Sequence, residues 1–299
     1  MSDGTPGRPS ALRLYSLIFL MTFLWSVNYI IGKFALRELP GMLVVSLRMA
    51  LAGTLMIPVY LWQRRQPGNP QWDSRDVPRL LSLGLLGVTL NQLFFVVGLA
   101  RTSVAHASLF VTMAPMLVLL IAALVGHEKL KVSRVLGLVL AGSGVAILQL
   151  FSAKNSGVTL LGDFFVFLCA LSFAMFAVYG RPAVHRFGSI TLNTFAYVAG
   201  GIVLAPVTWW YSKDVHYENV TWKAWLSLLF MAAISSVFCY LIFSYALHYI
   251  PSSRVSAFSY LQPVLATTMA ILWLHELPSP SLFVAGPMVL AGVFVAERG

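Results

Sequence analysis

The 299-residue chain is 59% hydrophobic and only 10% charged, with a formal net charge of +10 at pH 7. Those proportions exclude a soluble domain with a wetted surface, because such domains carry about 25% charged residues. The basic residues form no stripe or recognition motif, which excludes nucleic acid as the partner.

Residues 1–11 are polar and read as a disordered cytoplasmic N-terminus, and the first apolar stretch follows without a small-residue cleavage site. Apolar stretches recur near 12–32, 41–62, 78–99, 103–125, 133–150, 160–180, 189–211, 223–247, 252–274 and 281–296. Most are long enough for a helix through about 30 Å of hydrocarbon, so the expectation is an all-α integral membrane protein with ten transmembrane helices. A β-barrel would instead alternate polar and apolar residues in segments of about ten.

Polar residues inside these spans must be satisfied within the bundle or by a wet cavity. In the first span Trp25 and Asn28 share a face. Arg48 is a cation inside the second span, roughly 10 Å from its predicted outer end at 1.5 Å per residue. It either snorkels to the interface or faces a cavity, where its guanidinium would fix a carboxylate or tune the potential. In the third span Asn91 and Gln92 place amides beside Phe94 and Phe95 at helical spacing, which suits either an amphipathic solute or interhelical hydrogen bonds.

The fourth span carries His106, Phe110, Thr112 and Pro115. His106 reads as a ligand for substrate or proton, or as a satisfied helix-end histidine. Pro115, and Pro263 in the ninth span, each remove a backbone bond, to Val111 and Ser259 respectively, giving either a hinge or a static kink healed by hydroxyls such as Thr112 or Ser256. Gly137, Ala141 and Gly144 in the fifth span, and Gly292 with Ala296 in the tenth, permit close helix contact. Asp163 lies near the outer end of the sixth span. Cys169 and Cys239, in the sixth and eighth, read as packed free thiols. Tyr240 and Tyr245 add aromatic rings to the eighth, and Ser256, Tyr260 and Gln262 give the ninth a set of hydrogen-bonding groups that favours a cavity.

The chain also repeats itself at a fixed offset of 148: Pro115 with Pro263, His127–Glu128 with His275–Glu276, Phe110 with Phe258, Gly53 with Gly201, Pro58 with Pro206, and Gly144 with Gly292. This reads as a duplication into residues 12–150 and 160–298. Five spans per unit is an odd number, so the second unit enters the membrane inverted, the arrangement used for alternating access around a midplane site. With the N-terminus inside, 13 cationic residues fall on the cytoplasmic side and six outside, which places both termini in the cytoplasm of a cell membrane.

The stretches LWSVNYIIGKFAL, SLRMALAG, SLFVTMAP, GHEKL and GLVLAGSGVAIL, and in the second half SAFSYLQPVLA, LHEL and GPMVLAGVFVA, resemble the EamA-type permeases of the drug/metabolite transporter superfamily. The resemblance implies a ten-helix carrier of small organic metabolites or drugs, often an exporter, with a cavity lined largely by the third, fourth, eighth and ninth helices. Two departures from the family pattern are Ser26, where a glycine is common, and His127 and His275, which precede glutamates where glycine is common.

No enzyme motif survives inspection. The His-Glu pairs lack the second histidine of a zinc protease, Lys131 and Ser279 standing there, and no phosphate loop, nucleophile elbow or dinucleotide fingerprint is present. The expectation is therefore a monomeric transporter of small-molecule solutes such as amino acids or aromatic compounds, embedded in lipid, without metal or cofactor. Its cavity candidates are Trp25, Asn28, Arg48, Asn91, Phe95, His106, Phe110, Thr112, Tyr240, Ser256, Tyr260 and Gln262, with hinges at Pro115 and Pro263. Without a carboxylate deep in any span the expected mode is facilitated diffusion. The alternatives are a proton-coupled antiporter using His106 and a membrane enzyme acting on a lipid.

Overall fold

The computed structural model describes residues 9–66, 71–126, 132–152, 159–250, 252–275 and 280–298, and the secondary structure among them is helical. His127, Glu128, Glu276 and residues 1–8 lie outside the described residues. In chain order the helical segments are α1 (Ala11–Leu36), α2 (Gly41–Arg64), α3 (Ser74–Leu99), α4 (Val104–Leu124), α5 (Val132–Ser152), α6 (Leu160–Phe187), α7 (Ser189–Ser212), α8 (Trp222–Tyr249), α9 (252–274) and α10 (Leu282–Arg298).

Among the described residues seven segments, α1 to α4 and α6 to α8, are long and apolar enough to cross a membrane, against the ten expected. The others contain shorter apolar helices, Val135–Gly144, Gln262–Leu274 and Leu282–Gly292. Along α9 the hydrogen-bonding pattern changes, a 3-10 turn at Phe258–Leu261 preceding the α-helical turns that start at Gln262.

Helix starts are defined by side chains that accept the otherwise unpaired N–H groups. Ser10 accepts from Arg13 N at 3.3 Å, Ser103 from His106 N at 3.2 Å, and Thr159 from Gly162 N at 3.0 Å. Glu38, in the turn between α1 and α2, accepts from the backbone and hydroxyl of Thr221 at 2.7 and 2.8 Å, tying that turn to the start of α8.

Segments 148 residues apart pack together. α2 runs along α7, and α5 along α10, the two most extensive pairings in the bundle. Glycine permits the first approach: a Cβ on Gly53 would stand 3.0 Å from the Tyr197 carbonyl oxygen, and one on Gly201 would stand 3.2 Å from the Ala50 Cα. One irregularity is also paired, while the π-helix at Ala270–Leu274 of α9 has no counterpart among the described residues of α4. α3 widens into a π-helix at Leu85–Thr89 and α8 at Met231–Phe238.

The proline helices differ from the sequence expectation. Neither proline interrupts a continuous α-helix: α4 breaks at Thr112–Met113 and resumes at Ala114, and α9 resumes at Gln262, each with its proline in the new first turn. There a missing N–H leaves no bond unmade. The nearby hydroxyls do bond to the backbone, but earlier than expected: Thr112 Oγ1 donates to Ser108 O at 2.7 Å, one turn before Val111, and Ser256 Oγ to Ser252 O at 2.8 Å, two turns before Ser259.

The outer surface is apolar, with Phe19, Ile57, Ile202, Leu272 and Phe283 all exposed, as lipid contact requires. Exposed Trp209, Trp210 and Trp222 cluster where α7 ends and α8 begins, and Lys213 Nζ lies 3.4 Å from the centre of the Trp209 ring. That is the composition of a membrane interface.

Candidate substrate cavity

One cavity, with about 520 Å³ of empty space including its mouth, opens between the helices. α1 contributes Trp25, Asn28 and Tyr29, and α3 contributes Asn91, Gln92 and Phe95. From α6 come Cys169, Ala170 and Phe173, and from α9 come Ser259 and Gln262. Arg48 of α2, Val111 of α4 and Tyr240 of α8 complete it. The lining thus differs from the one the resemblance implied. α1, α2 and α6 supply half of it, while α4 and α8 supply one residue each.

Aromatic rings form one wall. Trp25 meets Phe173 and Tyr240 edge-on, with centroids 5.8 and 5.7 Å apart, and Tyr29 meets Phe95 at 5.2 Å. Such pairs contribute about 0.5–1.5 kcal/mol beyond their burial and hold the rings at fixed angles. The π segment of α8 anchors this wall, because its displaced carbonyls take partners from other helices. Trp25 Nε1 donates to Ser235 O at 3.1 Å, and Tyr197 Oη donates to Ser236 O at 2.9 Å. In α3 the corresponding acceptor is Leu86 O, which receives the Ser172 hydroxyl from α6.

The amides are mostly engaged. Asn91 Nδ2 donates to Cys169 O at 2.9 Å, and Asn91 Oδ1 accepts from Tyr240 Oη at 2.7 Å. Gln262 Oε1 accepts from Tyr29 Oη at 3.2 Å. Asn91 therefore lines the cavity and bonds across helices at once, so the two readings of its sequence position coexist. Both cysteines are free and buried. Cys169 is on the cavity wall, and Cys239 packs against the Met21 carbonyl at 3.8 Å.

Arg48 stands apart. It is 1% exposed, so it does not snorkel, and its Nε donates to Ser236 Oγ at 2.7 Å. Its Nη1 is buried without a hydrogen-bond partner among the described residues, and so is Asn28 Oδ1, on a residue 4% exposed. Among the described residues no Asp or Glu lines the cavity. A cation at the bilayer centre costs about 2.5–3.5 kcal/mol on insertion scales, so arginines kept there face a cavity or a partner.

His106, Phe110, Thr112 and Ser256 do not line this cavity, and the Tyr260 side chain lies outside the described residues. His106 is held at the start of α4, with Nδ1 2.9 Å from Asp163 Oδ2 in the first turn of α6. Thr102 Oγ1 donates to the other carboxylate oxygen, and Lys33 Nζ donates to Thr102 O at 2.6 Å. Asp163 is near a helix end, as the sequence indicates, yet 1% exposed. Among the described residues no group of three or more His, Cys, Asp or Glu is arranged to hold a metal.

Sequence reasoning did not name Tyr29, Ala170 and Phe173, and it read Cys169 as a packed thiol and Val111 and Ser259 only as carbonyls freed by the prolines, not as cavity residues. Ser259 and Val111 are separated by the repeat offset, as are Phe173 and Trp25, so applying the repeat to the candidates would have found Phe173.

Comparison with known proteins gives the family and the fold. The model of the EamA-like transporter family matches residues 12–150 and again 160–297. An "Uncharacterized transporter" of Archaeoglobus fulgidus is 26% identical over 96% of this chain and 99% of its own length. A "Probable terminal-alkyne amino-acid exporter" of Streptantibioticus cattleyicolor is 24% identical over 75% of this chain and 74% of its own. A solved crystal structure shares the fold, with a TM-score of 0.69 at 19% identity, over 97% of this chain and 98% of that one.

Proposed function

Because this chain belongs to the EamA-like transporter family, we propose that it carries small organic solutes such as amino acids or aromatic compounds across a cell membrane by alternating access. The observation that carries the reading is an aromatic-walled cavity with a few polar side chains, lined by helices from both matched segments of a multi-pass membrane protein. Aromatic walls give affinity, and a few polar groups orient the solute. Export is the direction suggested by the relative named as an amino-acid exporter.

The ten helical segments act as two inverted five-helix units, 12–150 and 160–298, with both termini cytoplasmic and one chain sufficient. Support comes from contacts that recur at the 148-residue offset. Asn91 of α3 bonds to Cys169 of α6, and their counterparts Cys239 of α8 and Met21 of α1 touch in the same way. The matched π segments and matched breaks ahead of Pro115 and Pro263 support the same two-fold relation, with the breaks as hinges. Two units that interchange roles give two states of similar energy, opening the cavity to either side.

Transport is facilitative, since the cavity wall has no carboxylate to exchange a proton for solute. A second reading, proton-coupled antiport, has the buried His106–Asp163 pair in its favour. Purified protein in liposomes decides. Solute flux that continues without a pH gradient supports the carrier, concentrative accumulation driven by a pH gradient and lost in His106→Gln supports antiport, and turnover of lipid without solute flux would favour an enzyme.

A further inference from the structure

The cavity holds a buried guanidinium whose charge no lining residue balances. Arg48 is oriented by two neighbours: Ser236 Oγ accepts from Nε, and the Ser236 carbonyl is itself held by Tyr197. Nη1 is left without a protein partner among the described residues. The aromatic wall offers no acceptor strong enough for a charge-assisted bond, and the nearby amide oxygens of Asn91 and Gln262 already accept from tyrosine hydroxyls. Asn28 also lines this cavity, and its Oδ1, an acceptor, is buried without a partner among the described residues.

We propose that Arg48 is a carboxylate subsite and Asn28 its companion, so that the transported solute is a 2-amino or 2-hydroxy monocarboxylate. A carboxylate on Arg48 neutralises the buried charge and gains the strong hydrogen bonds of an ionised pair. A solute N–H or O–H beside that carboxylate then satisfies Asn28. The remainder of the solute meets the rings of Trp25, Phe173 and Tyr240. A dicarboxylate would bring a second charge with no partner, and a bare amine would place like charges together.

This assignment rests on the carrier reading above, and the test separates the two. Full-length protein in liposomes is offered the twenty common L-amino acids and their 2-hydroxy analogues, each beside its carboxamide and its desamino acid, together with neutral and cationic solutes of similar size. At least one acid is expected to enter about ten- to a hundredfold faster than its carboxamide, the worth of a hydrogen bond to a charged group. R48Q should close that gap, and R48K, which keeps the charge without the planar fork, should keep part of it. Asn28→Leu should erase the preference for the acid over its desamino form. Equal entry of acid and carboxamide in the wild type overturns the subsite even where R48Q fails to insert, and so does a gap that persists in R48Q. Entry of neutral or cationic solutes alone overturns the subsite and leaves the carrier standing. No entry of any solute overturns both.

Discussion

At the cavity the two halves of the chain place different chemistry on equivalent backbone positions. Where the first half has Asn28, the second has Phe176, and where the first has Arg48, the second has Ala196. Gln92 corresponds to Tyr240, and Val111 to Ser259. Backbone features such as π segments, helix breaks and glycine crossings recur, whereas the unpartnered polar atoms on the cavity wall both belong to the first half. The lesson is that the backbone frame recurs in the two halves while substitution within one half gives the cavity two chemically different ends, which on the proposed carrier would receive the head and the tail of a solute. The ends of the bundle differ as well. His106 pairs with Asp163 between α4 and α6, while the positions equivalent to them are Arg254 and Tyr15, which cannot form that pair.

The sharpest way to break the contrast is to give the first half the residue of the second. Arg48→Ala is expected to lower transport of a carboxylate solute about ten- to a hundredfold in liposome flux. Its thermal stability in detergent should hold or rise, because an unbalanced buried charge is removed. Asp163→Ala should do the reverse. It strands Thr102 and His106, at about 1–3 kcal/mol for each buried group left unsatisfied, so the melting temperature should fall while solute preference is retained. A shift in preference would place that pair in solute recognition instead.

Pro115→Ala and Pro263→Ala test the half of the comparison in which the two units agree. Each should slow flux severalfold with the protein still inserted, since an alanine lets the helix close over the break. Unchanged flux in both would remove the hinges from the account. The smallest effect is expected from a pH gradient. It should leave the final distribution of a solute unchanged, because His106 and its carboxylate partner stand off the cavity wall.

Much of this contrast was legible in the sequence. Arg48, Asn28 and Asn91 are conspicuous because polar groups in an apolar helix need a reason, and the prolines carry a local backbone signature that survives without tertiary context. The directions of Tyr29, Cys169 and Ala170 were not legible. In a membrane helix the packed and lipid-facing sides draw on the same apolar residues, so no amphipathic stripe marks which way a ring points. The π segments were hidden for a related reason. They arise where Trp25, Tyr197 and Ser172 supply donors to carbonyls of another helix, and such pairings depend on tertiary packing. The same limit explains why α9 reads as one apolar run yet changes helix type at Phe258–Leu261.

The central claim is that one cavity is exposed in turn to each side of the membrane, and its own thiol can report this. Cys169 lies on the cavity wall, and Cys239→Ser removes the other thiol. In oriented vesicles holding that variant, a small membrane-impermeant methanethiosulfonate is applied to one side or the other. The account predicts labelling of Cys169 from both sides, slowed in each case by a transported solute. Labelling from one side alone, whether or not solute is present, would contradict alternating access.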